Sequence, residues 1–177
     1  MVITLIGFRG VGKSSVAPQL AARLGWEWID ADREVADRAG KSIPDIFSQD
    51  GEPVFRKWEA DVMNDLLHRD CLVVAAGGGA VMNDQTRRLM QEAGPVVWLQ
   101  AALETIWSRI AATLGGEGGR PALTEHDPRT EVEILLNQRE PVYAAAASVT
   151  IRTGDHSIAA IVDEIVAQLP AQSEWPE

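Results

Sequence analysis

Residues 7–14, Gly7-Phe8-Arg9-Gly10-Val11-Gly12-Lys13-Ser14, follow the short apolar run Val2–Ile6 and lead into an amphipathic stretch. The pattern G-x-x-x-x-G-K-[ST] between a strand-like run and a helix-like one constrains this chain more than any other feature. Glycines let the backbone curl until successive N–H groups converge on an anion. The helix that follows sets its positive N-terminal end behind the same anion. Lys13 neutralises terminal phosphate oxygens, and the Ser14 hydroxyl suits Mg²⁺. The loop is therefore expected to hold the phosphates of a nucleoside triphosphate. Pro18 lies inside the following helix and removes the N–H that would reach the Ser14 carbonyl. A kink or local widening is expected there.

The rest of the chain alternates in the way such a loop requires. Strands are expected at Val2–Ile6, Trp26–Asp30, Leu72–Ala75, Val96–Leu99 and Val149–Ile151. Each has the length of a buried strand, and several are apolar on both faces. Helices are expected at Lys13–Leu24, Arg33–Ala39, Pro44–Ser48, Pro53–His68, Asp84–Glu92, Leu103–Leu114, Thr130–Tyr143 and Ser157–Leu169. This alternation implies an α/β layer fold around a parallel sheet. About forty residues separate the second and third strands, too many for one crossover helix. They predict an appended substrate-side subdomain, at about 32–62. The run "LGGEGGRPALTEHDP" reads as a long loop, and a lid at about 113–128 is expected if phosphate is transferred. Residues 1–170 are expected to form one domain and 171–177 a frayed tail.

Composition narrows the partners. The chain has 177 residues and a formal net charge of −10, against broad nucleic-acid or membrane-surface binding. A single cysteine, Cys71, excludes an internal disulfide and fits a reducing compartment. At the head of an apolar run, Cys71 is expected to be a buried small hydrophobe. His68, His126 and His156 are far apart and lack metal-ligand spacing. The first residues carry neither a signal-peptide pattern nor a span long enough for a membrane. A soluble, cytoplasmic monomer is the expectation.

Four further stretches carry chemistry. In "WIDADRE", Asp30 and Asp32 are two apart, so extended chain would point them the same way. They stand at the carboxyl end of a strand, where ligands bind in open α/β sheets. One carboxylate can hold Mg²⁺ through water, and Asp30 is the natural choice; the other can take or aim an acceptor's hydroxyl proton. A solvated pair with Asp32 capping the next helix is the plainer alternative. In "DGEPVFRKWEADV", Glu59 lies one turn after Arg56 and can hold its guanidinium, a planar fork suited to a carboxylate. In "VVAAGGGAV", Gly77, Gly78 and Gly79 let a ligand approach the backbone closely. Arg120, in "GRPAL", can swing onto phosphoryl oxygens, and Arg139, in "NQREPVY", can supply a second anion fork.

Taken together, the phosphate loop, "DAD" at 30–32, "GKSIPDIF" at 40–47, "DGEPVFRKWE" at 50–59, "GGGAV" at 77–81, "GRPAL" at 119–123 and "REPVY" at 139–143 resemble the shikimate kinase family over nearly the whole chain. The resemblance implies a nucleoside-monophosphate-kinase-like, three-layer P-loop NTPase fold, with five parallel strands in the order 2-3-1-4-5 flanked by helices. It implies ATP- and Mg²⁺-dependent phosphorylation of the 3-hydroxyl of shikimate, on the way to chorismate and the aromatic amino acids. It places Gly10, Val11, Gly12, Lys13, Ser14 and Ser15 around the phosphates, with Ser14 on Mg²⁺ and Asp30 behind it through water. It gives Asp32 the shikimate hydroxyls, Arg56 and Arg139 the carboxylate, and the Gly78 and Gly79 backbone the ring hydroxyls. Arg120 becomes the lid arginine, Arg109 the partner stacked on adenine, and His156 a nucleotide-side residue. Lys13, Asp32 and Arg120 are thereby the catalytic groups.

Two departures from the family pattern concern the lid. Ala122 stands where leucine is usual after the Arg-Pro pair, and glycines at 115–116 and 118–119 precede it, implying a looser lid. Two other readings fit the phosphate loop itself: a kinase for gluconate or a nucleotide, and a binding protein without turnover. The Arg56/Arg139 pair favours a carboxylate-bearing acceptor. The intact set Lys13, Asp32 and Arg120 favours an enzyme.

Overall fold

The computed structural model describes residues 1–112 and 127–170. Five parallel strands form one sheet: β1 (Val2–Ile6), β2 (Glu27–Asp30), β3 (Leu72–Ala75), β4 (Val96–Gln100) and β5 (Val149–Arg152). Their order is β2-β3-β1-β4-β5, as the resemblance implied. β1 lies at the centre, with Val2 beside Leu72 and Thr4 beside Val96 in register. Period-two alternation divides the sheet's side chains between two cores. Ile3, Leu5, Val73, Val97 and Leu99 face one core, and Val2, Ile6, Leu72, Val74 and Val96 face the other. All ten are at most 1% exposed, so each contributes about 1.5–3 kcal/mol on leaving water.

Helices cover both faces. The first core is closed by α1 (Lys13–Leu24), α6 (Leu103–Ala111) and α8 (Ile158–Gln168). The second is closed by α2 (Ala31–Ala39), α4 (Glu52–Leu67) and α5 (Asp84–Ala93). The long helix α7 (Pro128–Ala146) serves both: Val132 and Leu136 join the first core, Tyr143 and Ala146 the second. The predicted helix at Pro44–Ser48 is instead a single turn, α3 (Ile43–Asp45), running into a π-helical turn at Ile46–Asp50. Ser42 caps that turn and buried Ile46 anchors it, so the wide turn brings the chain round to Gly51 and the start of α4. Together α2, α3, the π turn and α4 occupy the stretch expected to be the subdomain.

Three local expectations need correction. The chain leaves β2 for α2 at Ala31, so Asp30 and Asp32 are not two residues of one extended strand. Asp30 is the N-cap, and Asp32 already belongs to the helix. Cys71 is exposed, not buried. It turns with a left-handed φ of 52° while its carbonyl accepts the Glu27 N–H at 3.1 Å, which keeps the backbone on the sheet edge and leaves the thiol outside. Finally, of the kink or local widening expected at Pro18, the widening is not seen: α1 is α-helix throughout Lys13–Leu24, Pro18 included. Val16, Ala17, Leu20 and Ala21 on either side of it are buried in the first core. That packing outweighs the roughly 3 kcal/mol propensity penalty. The proposed lid, with Arg120 and His126, and the proposed tail at 171–177 lie outside the described residues, apart from Asp127 and Pro128 at the start of α7.

Candidate active site

The loop joins the buried end of β1 to α1. Gly12 is the α1 N-cap with φ 108°, a conformation that favours glycine, and no side chain caps it. No acidic residue stands in the first turn either, so the positive end of α1 is left to an external anion. Lys13 is only 9% exposed; its Nζ donates to the Gly7 and Phe8 carbonyls at 2.8 and 3.0 Å. The ammonium thus lies across the loop it serves.

Behind the helix end, the Ser14 hydroxyl donates to Asp30 Oδ2 at 2.5 Å. The other Asp30 oxygen accepts from the Asp32 and Arg33 N–H groups at 3.0 and 3.3 Å. One carboxylate therefore caps α2 and fixes Ser14, a cap of this kind contributing about 1 kcal/mol. Asp32, in the first turn of α2, lines the same cavity as the loop. That cavity holds about 540 Å³ and extends from Asp32 and Gly78 at one end to Arg109, Thr153 and His156 at the other.

A second cavity, of about 420 Å³, is lined by Glu52, Arg56, Glu59, Gly79, Gln138 and Arg139 among others. Gly78 borders the first cavity and Gly79 the second, so the two meet at the glycine triplet. Gly77 fits between carboxylates: a Cβ there would stand 2.6 Å from Glu59 Oε1 and 2.7 Å from Asp32 Oδ1. At Gly79 it would meet Arg56 Nη1 at 2.5 Å. Bare backbone is what allows the acid of one cavity and the arginine of the other to close on the same strand end.

Arg56 is held as its spacing predicts, and more firmly. Nη1 donates to Glu59 Oε2 at 2.7 Å, while Nε and Nη2 donate to Glu52 Oε1 at 3.1 and 2.9 Å. Glu59 is 6% exposed, so this pair is poorly screened. Burial pulls the guanidinium pKa down, but Glu59 and then Glu52 outweigh it and hold the group above its ordinary value. Arg139 lies across the triplet: Nη1 donates to the Gly78 carbonyl at 3.3 Å, and the guanidinium sits 5.6 Å from the Phe8 ring centre. Arg109 makes contacts its sequence position did not foretell. Its Nη1 donates to the Gly10 and Val11 carbonyls at 3.1 and 3.3 Å, and its Nη2 to Gly154 at 3.5 Å.

Structure thus gathers Lys13, Ser14, Ser15, Asp30, Asp32, Arg109 and His156 around one cavity and Arg56 and Arg139 around its neighbour. Three participants were given no role by the sequence, although Arg9 and Tyr143 lie within quoted motifs. Thr153, 2% exposed, brings its hydroxyl to the Val11 and Gln100 carbonyls, each at 3.3 Å. The Tyr143 hydroxyl donates to the Gly78 carbonyl at 2.6 Å. Arg9, within the loop itself, lies 3.9 Å from Glu131 of α7 and lines the first cavity. The first two contacts join residues 142 and 65 positions apart, beyond any local pattern.

Comparison with known proteins decides the family. The model for "Shikimate kinase" matches residues 9–170. The chain belongs to the shikimate kinase family. The shikimate kinase of Nitratidesulfovibrio vulgaris is 41% identical over 167 residues, covering 94% of each chain. That of Ruegeria pomeroyi is 37% identical over 172 residues, 97% of this chain and 86% of the relative. Among solved structures, a shikimate kinase from Acinetobacter baumannii in complex with shikimate superposes with a TM-score of 0.86 at 34% identity, covering 93% of this chain and 90% of that one. Membership of the shikimate kinase family makes this a P-loop kinase that uses ATP.

Proposed function

We propose that this chain transfers the γ-phosphoryl group of ATP to the 3-hydroxyl of shikimate, giving shikimate 3-phosphate on the way to chorismate and the aromatic amino acids. One observation carries the reading: two cavities meet at Gly78–Gly79, with a phosphate loop on one side and a carboxylate-braced arginine on the other. A small polyhydroxy acid needs both, an arginine fork for its acid group and a carboxylate for its hydroxyl. The shikimate complex of the Acinetobacter baumannii relative supports the same acceptor.

The same reading assigns each residue a role, supported by its place around the two cavities where that is described. Gly10, Val11, Gly12 and Ser15 offer the loop's backbone to the phosphates, and Lys13 moves its charge onto the transferring oxygens. Arg56 and Arg139 hold the acceptor's carboxylate, and the Gly78 and Gly79 backbone meets its hydroxyls. Asp32 takes or aims the reacting hydroxyl proton. Arg109 and His156 flank the nucleoside end; Arg120, outside the described residues, is assigned the phosphates by the family resemblance alone. In the same reading the stretch at about 32–62 is the acceptor-side subdomain, and the lid assigned to about 113–128 rests on the family resemblance. The Ser14–Asp30 pair offers hydroxyl and carboxylate oxygens, which suit a hard dication. Among the described residues no cluster of three or more His, Cys, Asp or Glu forms an alternative metal site. Ser14 would hold Mg²⁺ directly and Asp30 through water, and the bound ion would offset charge on the β and γ phosphates. A cytoplasmic, monomeric enzyme is part of the same reading, supported by the net charge of −10 and the single cysteine. No helix among the described residues is long and apolar enough to cross a membrane.

The test is ADP release coupled to an indicator reaction, with ATP and Mg²⁺ and one of shikimate, gluconate, AMP or no acceptor. Turnover stimulated by shikimate alone is expected. Stimulation by gluconate or AMP, or by none of them in protein that binds ATP, would overturn the proposal.

A further inference from the structure

Tyr143 is the only tyrosine in the chain, and the proposed reaction makes no use of it. It is wholly buried on α7, yet its hydroxyl reaches the site, donating to the Gly78 carbonyl at 2.6 Å. Arg139 lies one turn earlier on the same face of α7 and donates to the same oxygen at 3.3 Å. A carbonyl oxygen has two lone pairs, so both bonds are made together.

That arrangement has a consequence for the next peptide. Three successive glycines are the most conformationally free backbone a chain can offer, and a ligand-facing peptide within them needs an outside anchor. Two donors from one rigid helix fix the direction of the Gly78 carbonyl. Among the described residues no peptide bond is cis, and in a trans peptide C=O and N–H point opposite ways. The Gly79 N–H is therefore turned away from the Tyr143 hydroxyl, and Gly79 lines the cavity with Arg56. Ala80 and Met82 place their N–H groups on the Gly77 and Gly79 carbonyls at 3.1 and 3.0 Å, while among the described residues no protein group accepts from the Gly79 N–H.

We propose that Tyr143 is a positioning residue for the phosphoryl acceptor: by pinning the Gly78 carbonyl it holds the Gly79 N–H preformed as a donor to an oxygen of a polyhydroxy acid. The inference rests on the acceptor reading of that cavity. Burial pushes the phenol up to about 12, so the hydroxyl keeps its proton, and stays a donor, across any working pH.

The variant is Tyr143→Phe, which keeps the ring in the core and removes only the donor. Shikimate KM is expected to rise about 3- to 10-fold, the effect of one hydrogen bond, with ATP KM unchanged. A role confined to stability would lower Tm and leave that KM where it is. In ¹⁵N-labelled wild-type protein, the Gly79 amide proton is expected to move when shikimate is added and the Gly25 amide is not; this reading does not depend on the variant folding. Unchanged shikimate KM in folded Tyr143→Phe, or a Gly79 amide indifferent to shikimate, would overturn the inference alone. A wild-type enzyme that does not phosphorylate shikimate would overturn the acceptor reading and this inference with it.

Discussion

At the scale of single residues, the site depends on what is missing at Gly77 as much as on what is present at Arg56. A methyl group at Gly77 would stand within 2.7 Å of both Asp32 and Glu59, and neither carboxylate is at the free end of an exposed chain. Gly77→Ala is therefore expected to displace Asp32 from the transfer point and lower kcat about 10²-fold, the usual effect of a misplacement near 1 Å. ATP KM, set on the far side of the cavity, should be retained. Steady-state kinetics with each substrate varied in turn check this; a kcat within threefold of wild type would contradict the steric argument. Arg56→Lys keeps a positive charge beside Glu59 but loses the planar fork. It should raise shikimate KM by about 10- to 100-fold, the range for hydrogen bonds to charged groups, with ADP affinity unchanged. The lysine variant is preferable to alanine because truncation would strand the buried Glu59 carboxylate and confuse binding with folding. Both residues were visible in the sequence as types at a spacing, Arg56 through Glu59 and the glycine through its neighbours. What the spacing did not carry was the convergence of Glu59 and Asp32 on one glycine, because that depends on how α4 and α2 pack over β3.

At the scale of elements, the phosphate loop shows why a motif is legible when its supports are not. The loop's N–H groups serve a ligand only if its carbonyls are turned outward, and outward carbonyls need donors. Arg109 from α6 supplies them at Gly10 and Val11, and Thr153, just beyond β5, supplies one at Val11. The pattern at residues 7–14 states what the loop does. Its two external donors sit about a hundred or more positions away, so no window of sequence joins them to it. Strands were legible for a different reason: buried on both faces, they read as apolar runs whatever their neighbours. The end of β2 was not, because Asp30 is at once the last strand residue and the cap of α2. Thr153→Val is close to isosteric and removes the hydroxyl bond alone. It should raise ATP KM about 2- to 10-fold and leave shikimate KM unchanged, with Thr153→Ser restoring the wild-type value. An effect shared equally by both substrates would mean that Thr153 supports the fold at large and not the loop.

At the scale of the whole molecule, Tyr143 ties the site to global stability. It is fully buried beside Trp98, with the ring centres 6.0 Å apart, in the core that α2, α4 and α5 close over the sheet. Desolvation is the main cause that raises its pKa to about 12, with Arg139 pulling the other way. In the unfolded chain the phenol titrates near its ordinary value of about 10. The folded state therefore binds the proton more tightly, and between those two values the unfolded state holds fewer protons. Stability from this group is complete below about pH 10 and is lost as pH rises toward 12, a span of about two units or roughly 2–3 kcal/mol. The chain already carries the self-repulsion of a net charge of −10, so the alkaline loss of this group's stability falls on a fold with like charge in excess. With one tyrosine in 177 residues, tyrosinate absorbance near 295 nm reports this group alone. The expected curve is flat through pH 10 and rises only near 12 or together with the loss of folded circular dichroism. A tyrosinate midpoint near 10 in protein that is still folded would show the phenol open to solvent, and the hydrogen bond to Gly78 would then be broken in solution. Tyr143→Phe, lacking the group, should instead retain its stability further into the alkaline range than wild type, even if it is weaker at neutral pH for want of the bond.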